Sequence, residues 1–381
     1  MSHSSATIAA ERAEKDWVSI SFLTATPVIG ILGTALYTWQ VGFEWWMLGL
    51  CATLYAVVGM SICAGYHRFF SHKTYECAWP VQLFYAIFGA AAVQNSIAAW
   101  SSGHRRHHQH VDDDWDPYNI KRGFWWAHIL WIFYRHDVDK DRKNVPDLMR
   151  NPIVRWQDRY YIPILLVGSL ALPALVGWYF GDVIAGILWG GFLRIVVTHH
   201  STFFVNSLAH HMGDRTYDPE VSACDNWAVA LLTLGEGYHS FHHKFPADYR
   251  NGIRWYHWDP AKWFIASLTL VGLAGKLRRT PDDRIEEARM KSALALSQLQ
   301  ERLDAAPRGL AEDAGARLQA ARAALERAIE LRRHQMQAKA EGLRHKVRDA
   351  QRQADAEIRE ARRHWQEAIR MLESVPVPAA A

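Results

Sequence analysis

Residues 235–243 read GEGYHSFHH and place His239, His242 and His243 at i, i+3 and i+4. On a helix those positions share one face, one turn apart. Neutral imidazole is the commonest protein ligand for iron, copper and zinc. GHRRHH repeats the spacing at His104, His107 and His108; YHRFFSH supplies His67 and His72, and NSLAH supplies Asn206 and His210. Nine histidines in four clusters exceed what a single ion takes and suit two. The rest of the chain is read as the apparatus that gathers them.

The flanking segments show how. Residues 17–39 and 45–66 are uncharged runs separated by a short link containing Glu44, and 161–180 and 183–208 form a second pair around Gly181-Asp182. Each is long enough to cross ~30 Å of hydrocarbon at ~1.5 Å per residue. Trp39, Trp45 and Trp46 mark the first turn, where interfacial aromatics belong. Two hairpins with short outer links bring every histidine cluster to one face of the membrane. Arg12, Lys15, Arg68 and Lys73 lie on that face, so the positive-inside rule makes it cytoplasmic. Residues 80–100 are also uncharged, but a crossing there would put the first two clusters on opposite sides. An interfacial or re-entrant helix is therefore expected. Arg194 lies inside the fourth run, where a charge is costly and is functional or paired. Residues 263–275 are read as a segment lying on the membrane surface.

The predicted fold class is an all-α membrane protein: four transmembrane helices in two hairpins, a helical cytoplasmic cap carrying the metals, and a long C-terminal helical or coiled-coil tail. The segments are 1–16 at the N-terminus, 17–280 as the membrane domain and 281–381 as the tail. Of 18 Trp, only Trp365 lies beyond residue 280. The tail is rich in Ala, Arg, Glu and Gln, with strong helix propensity. Leu325, Met336, Val347, Ile358 and Ile369 recur every 11 residues, a period that favours one long helix with slight right-handed supercoiling. From Arg317 to Leu372 it would reach ~84 Å. Such a helix serves a homo-oligomer or a partner, or folds back as a solvated amphipathic element.

Composition excludes several classes. The net charge of +4 comes with no basic stripe interleaved with aromatics, so no nucleic-acid partner is expected. Cys51, Cys63, Cys77 and Cys224 form no CxxC pair, which argues against a disulfide framework and a thiolate metal site. No cleavable secretory pattern opens the chain. Imidazole tolerates both Fe2+ and Fe3+ and resists oxidation better than thiolate, so a di-iron, oxygen-activating centre fits. Structural zinc closes with four ligands, which nine would exceed. Glu236-x-x-His239 resembles the Glu-x-x-His of carboxylate di-iron proteins, but it is embedded in a histidine cluster. Glu236 and nearby carboxylates are expected to orient the ligand N–H groups instead. A single histidine at a membrane interface is ordinarily a hydrogen-bonded polar residue; two HxxHH triads, an HxxxxH and an NxxxH on one face are not explained that way. His199, His200, His211, His110, His128, His136, His257, His334, His345 and His364 fall outside the pattern and are assigned to packing or ligand support.

HRFFSH (67–72), HRRHH (104–108), NSLAH (206–210) and GEGYHSFHH (235–243) together resemble the histidine boxes of the integral-membrane fatty acyl desaturases, of the acyl-CoA Δ9-desaturase type with a bacterial-like chain. The likeness extends through residues 116–131 and 226–252 and covers about 17–275. The resemblance implies two iron ions (Fe2+/Fe3+) held by His67, His72, His104, His107, His108, His210, His239, His242 and His243, with Asn206 acting through a water. It implies insertion of a cis double bond, usually Δ9, into a saturated acyl chain, using O2 and two electrons. Gln94 and Trp100 match positions at the bend of the substrate tunnel, and Asn95 and Arg135 match positions near the acyl head group. The implied substrate is a long-chain acyl thioester, acyl-CoA first. Animal members carry an Arg-Asp pair before HxxHH where this chain has Ser102-Gly103, which leaves phospholipid and carrier-protein substrates open. No haem, ferredoxin or dinucleotide motif is present, so a separate donor is expected, a ferredoxin or a cytochrome b5-like protein with its reductase. The expected location is multi-pass in a bacterial inner membrane, with both termini and the active site cytoplasmic. The other readings are a histidine-box lipid or alkane hydroxylase and a membrane metal transporter or sensor.

Overall fold

Asp16 starts the first helix, its carboxylate accepting from the backbone N–H groups of Val18 (3.1 Å) and Ser19 (3.4 Å). In this computed structural model, which describes residues 14–135, 142–295, 297–372 and 375, helix α1 spans Trp17–Val41 and α2 spans Trp45–Ser71. Gly42, at φ +95°, turns the chain between them. After a short ladder, Glu76–Cys77 (β1) against Ala274–Gly275 (β2), come α3 (Trp79–Ala90) and α4 (Ile97–Gln109). Phe124–His128 (α5) and Pro152–Arg159 (α6) lead to α7 (Tyr161–Tyr179) and α8 (Val183–His210). Then follow α9 (Trp227–Leu232), α10 (His239–Lys244) and α11 (Pro260–Leu270). Among the described residues, helices α1, α2, α7 and α8 are the four long and apolar enough to cross a membrane, with 25, 27, 19 and 28 residues. The second hairpin closes tightly because it lacks side chains where it crosses. A Cβ on Gly177 would stand 2.4 Å from the Asp182 carbonyl oxygen, and one on Gly186 2.4 Å from that of Pro173.

The uncharged run 80–100 does not cross. Helix α3 has 12 residues, about 18 Å. It ends against the middle of the third and fourth spans, and residues Val93 and Asn95, both at positive φ, reverse the chain into α4. Carbonyls exposed at such an end need donors inside the bilayer. Arg194 Nη1 (2.6 Å) and Ser169 Oγ (3.0 Å) both donate to the Ala91 carbonyl, and the His199 ring pairs with that of Ala92 (2.8 Å). Arg194 is thus paired, as the cost of a mid-span charge demands, and its role is to close a re-entrant helix. The cap core packs Tyr66, Phe70, Tyr85 and Ile97 with Ile265 of α11. Within 263–275, Trp263, Leu270 and Val271 stay exposed.

Contacts divide the chain into residues 1–214 with 221–279, and 215–220 with 280 onward. The second unit corrects the single 84 Å rod. Its helices are α12 (Asp282–Ala295), α13 (Ser297–Ala305), α14 (Arg308–Ala340) and α15 (Arg344–Leu372), and the last two pair with each other. Gly342, at φ +72°, ends α14, with the Leu343 N–H donating to the Ala338 carbonyl (2.9 Å). The 11-residue stripe does not run through this turn: Leu325 and Ile358 pack in one core, while Met336 is exposed.

Candidate metal centre

The HxxxxH pair is the part of the site that α-helical geometry does not predict. Five residues on, an α-helix has turned ~500°, so His67 and His72 would diverge by ~140°. Residues Ser61–Ser71 are instead π-helical, and the His72 N–H donates to the His67 carbonyl (3.2 Å), an i→i+5 bond. That winding puts position i+5 about one turn above i. Both rings then point the same way. Helix α4 presents His104, His107 and His108, a short turn Leu208–His210 ends the fourth span with His210, and α10 carries His239, His242 and His243.

The rings fall into two groups. His67, His72, His104, His108 and His242 form one; His107, His210, His239 and His243 form the other, with potential ligand atoms in each within 4.8 Å of one another. Each triad is divided two to one, in opposite senses: α4 gives two rings to the first group, α10 gives two to the second. In the first group, Nε2–Nε2 distances are 2.9 Å for His67–His242, 2.7 Å for His72–His104 and 2.9 Å for His108–His242. In the second they are 3.0 Å for His210–His239 and 3.0 Å for His239–His243. Two nitrogens bound ~2.1 Å from one ion at right angles lie ~3.0 Å apart. The donor spacing, ligand type and burial therefore fit one metal ion per group.

Carboxylates hold the rings from behind. Glu236 Oε2 is 2.6 Å from His67 Nδ1, and Asp116 Oδ1 is 2.9 Å from His107 Nδ1. His210 Nδ1 meets Ser222 Oγ (2.7 Å), which in turn meets Asp112 Oδ1 (2.5 Å). Such partners fix the ring tautomer, leaving Nε2 as the ligand atom. Glu236 is itself clamped: Arg68 Nη2 lies 2.9 Å from Glu236 Oε1 and 2.9 Å from Asp259 Oδ1, and Asn251 Nδ2 donates to Glu236 Oε2 (2.7 Å). Burial alone would raise the Glu236 carboxyl, but the Arg68 charge and His67 outweigh it and bring it down to about 2. The sequence pattern pointed to Glu236. It did not single out Asp112, Asp116, Ser222, Arg68 or Asp259; the signal available was the acidic run directly after HxxHH and the Arg beside His67.

Six of the imidazoles are held neutral by their surroundings, as ligation requires. Burial, then neighbouring imidazoles, keeps His72, His104, His108, His242 and His243 well below the ordinary histidine value, and His239 at about 3. The unfolded chain takes up protons on these groups below about pH 6.5, and the folded chain does not. Stability from them is therefore complete above pH 6.5 and falls as the pH drops, each group contributing up to about 1.4 kcal/mol per pH unit. Thermal unfolding of the chelator-treated protein in detergent should show Tm falling steeply between pH 7 and 5; a flat profile contradicts the neutral assignment.

Asn206 is half-buried one turn before His210 and lines a cavity of about 910 Å3 that also touches His67, His104, His107 and His239. Gln94, Asn95, Trp100 and Arg135 line the same cavity. The Gln94 amide donates to Thr202 Oγ1 (2.9 Å) and accepts from Trp100 Nε1 (3.3 Å), and the Trp100 ring stacks on His104 (5.0 Å). The Asn95 N–H donates to the Tyr161 hydroxyl (3.0 Å), and Arg135 lies 3.8 Å from Asp16. His199 is occupied at the end of α3, and His200 pairs with His128 (3.0 Å), whose other nitrogen meets Ser207 (2.9 Å). His110, His211, His257, His334, His345 and His364 stand outside both groups; His136 and Arg12 lie outside the described residues.

A model of the fatty acid desaturase family matches residues 43–269. The chain is 44% identical over 236 residues to acyl-CoA desaturase 1 of Saccharomyces cerevisiae, covering 61% of this chain and 46% of that protein. It is 41% identical over 277 residues to a probable acyl-CoA desaturase of Schizosaccharomyces pombe, covering 71% and 56%. It is 38% identical over 271 residues to the sn-2 palmitoyl-lipid 9-desaturase of Nostoc sp., covering 70% and 91%. The chain thus spans about half the length of the two yeast relatives and nearly all of the Nostoc one. Since the matched stretch takes in all four histidine clusters and most of the four apolar crossings, the chain is an integral membrane protein and belongs to the fatty acid desaturase family.

Proposed function

We propose that this protein is an acyl desaturase that inserts a cis double bond, at Δ9, into a long saturated chain carried as a thioester, with acyl-CoA the first candidate. The observation that carries the reading is one apolar cavity running against rings of both imidazole groups. The net reaction takes two hydrogens from adjacent carbons; O2, two electrons and two protons join them to give two waters. The nine imidazoles would hold two irons, Asn206 acting through a water, and the irons would supply the oxygen activation that breaks unactivated C–H bonds.

The protein's own share is position and dryness. Trp100, locked by Gln94 and stacked on His104, fixes where the chain passes the imidazoles. Arg135 and Asn95 line the cavity and are exposed, so a polar head group belongs beside them. The deep end reaches Tyr55, twelve residues before His67 and about 18 Å down the helix. Its hydroxyl meets Ser201 Oγ (3.1 Å) and the Leu232 carbonyl. The electrons come from a separate protein, a ferredoxin or a cytochrome b5-like donor with its reductase. The histidine face lies in the cytoplasm of a bacterial cell, with the spans in its inner membrane.

Purified protein reconstituted with iron, O2, donor and stearoyl-CoA should yield oleoyl product by gas chromatography. A hydroxylated product, or none, rejects the reading. Chain length gives a finer test. Gly59 lines the deep part of the cavity, where an added Cβ would already stand 3.0 Å from Leu234 Cδ1. Gly59→Phe should shift preference toward shorter chains by about tenfold for every two methylenes it excludes, given ~0.8 kcal/mol per buried methylene and ~1.4 kcal/mol per tenfold. Competition between C14 and C18 substrates reads it directly.

A further inference from the structure

Helix α12 of the second unit is buried on two opposite faces. Asp283, Glu287 and Met290 lie along one of them, at i, i+4 and i+7. Arg332 of α14 pairs with Asp283 and with Glu287 (2.7 Å), and Met290 packs with Leu325 and Ala328 of α14 and Ile358 of α15. Ile285, Ala288 and Ser292 lie along the other face, and all three are buried. Ser292 is 1% exposed, and its Oγ donates to the Arg215 carbonyl (2.7 Å). That carbonyl opens residues 215–220, a stretch from well before residue 280 that nonetheless falls within the second unit. Tyr217, inside this stretch, is buried as well.

In the chain, residues 215–220 stand between two parts of the metal centre. His210 precedes them, and Ser222, whose Oγ meets His210 Nδ1 (2.7 Å), follows directly after Val221. The paired backbones of Asp214 and Asp225 (3.0 and 2.8 Å) tie the two ends together, so Ser222 sits in a closed loop whose residues 215–220 belong to the tail's unit. The groups behind the first imidazole set, Glu236, Arg68 and Asp259, lie outside that unit. We infer that the tail is a positioning element for the second imidazole group: α14 and α15 hold α12, Ser292 of α12 holds 215–220, and the backbone carries that restraint to Ser222 behind His210. A partner that orients a ligand ring governs metal affinity as well as ring direction. The inference rests on the two-ion reading and adds that one ion of the two depends on the tail. The tail lies beyond residues 43–269, so this restraint comes from outside the stretch matched by the desaturase family.

The test uses the full chain in detergent, with Ser292→Ala to remove the donor, Ser292→Thr to keep it, and Met290→Asp to loosen α12 from the helical pair. Amide hydrogen exchange, read by mass spectrometry on metal-free protein, is the first measurement. Exchange in residues 216–223 should rise about fivefold in Ser292→Ala, the worth of one hydrogen bond, and further in Met290→Asp, with residues 104–109 unchanged. Anaerobic titration with Fe2+ is the second measurement. In a His242→Ala background, which leaves the second group whole, Ser292→Ala should weaken the retained ion by up to about fivefold. In a His239→Ala background, which leaves the first group whole, it should change nothing. Ser292→Thr should match the wild type in both measurements. Faster exchange in 216–223 with unaltered iron binding overturns the inference. So does unaltered exchange in both Ser292→Ala and Met290→Asp, or an equal loss of iron in the two backgrounds. A wild-type chain that takes up fewer than two irons rejects the two-ion reading instead, and the exchange of 216–223 still decides whether the tail holds the loop.

Discussion

Replacing His242 by Ala should abolish unsaturated product, by more than the 10- to 100-fold that changes behind a ligand give, and lower bound metal by about half. The ring is central to its group, with Nε2 2.9 Å from both His67 and His108. Removing it opens a gap on one ion while His239 and His243, on the same short helix, still face the other group. Metal analysis should then show one ion retained with activity gone, and the protein should still insert into the membrane. Full activity would refute the two-ion assignment. Replacing His200, one of the histidines outside both groups, should leave metal content unchanged.

Replacing Arg68 by Met should cost about 3–5 kcal/mol, the usual penalty for breaking a buried ion cluster from one side. The guanidinium is 1% exposed and lies between Glu236 and Asp259, both buried. Without it two carboxylates remain in an apolar interior, and the Glu236 contact to His67 loses its anchor. The outcome to measure is a large drop in Tm together with loss of metal. Arg68→Lys keeps the charge but loses the two-sided fork, so its loss should be intermediate. If Met at this position unfolds at the wild-type temperature, the clamp is not structural.

The two effects differ in how much of each residue the sequence exposes. His242 declares itself through i, i+3, i+4 spacing. Arg68 is one arginine among many, and only its folded surroundings reveal two buried carboxylates. The same contrast holds in the membrane part. Four long apolar runs in two hairpins were readable because a bilayer admits few solutions for such segments. That residues 80–100 turn back, rather than lie at the surface, depended on Arg194, Ser169 and His199 meeting the end of α3 from other helices. In the tail, helix propensity was legible and its length was not. Gly342 interrupts a repeat that continues in sequence on both sides, and the two arms satisfy their apolar faces against each other.

The sequence by itself determined the helical class, the crossings, the nine imidazoles and their gathering on one face, because hydrophobic run length and histidine spacing are local quantities. Tertiary structure alone decided how those imidazoles divide. Each triad straddles two groups, and His67 joins His72 through π-helical winding that no residue pattern announces. A ligand's assignment depends on which donors from other helices converge at the same point. That is a property of packing between segments up to 175 residues apart, as with His67 and His242, and no local reading contains it.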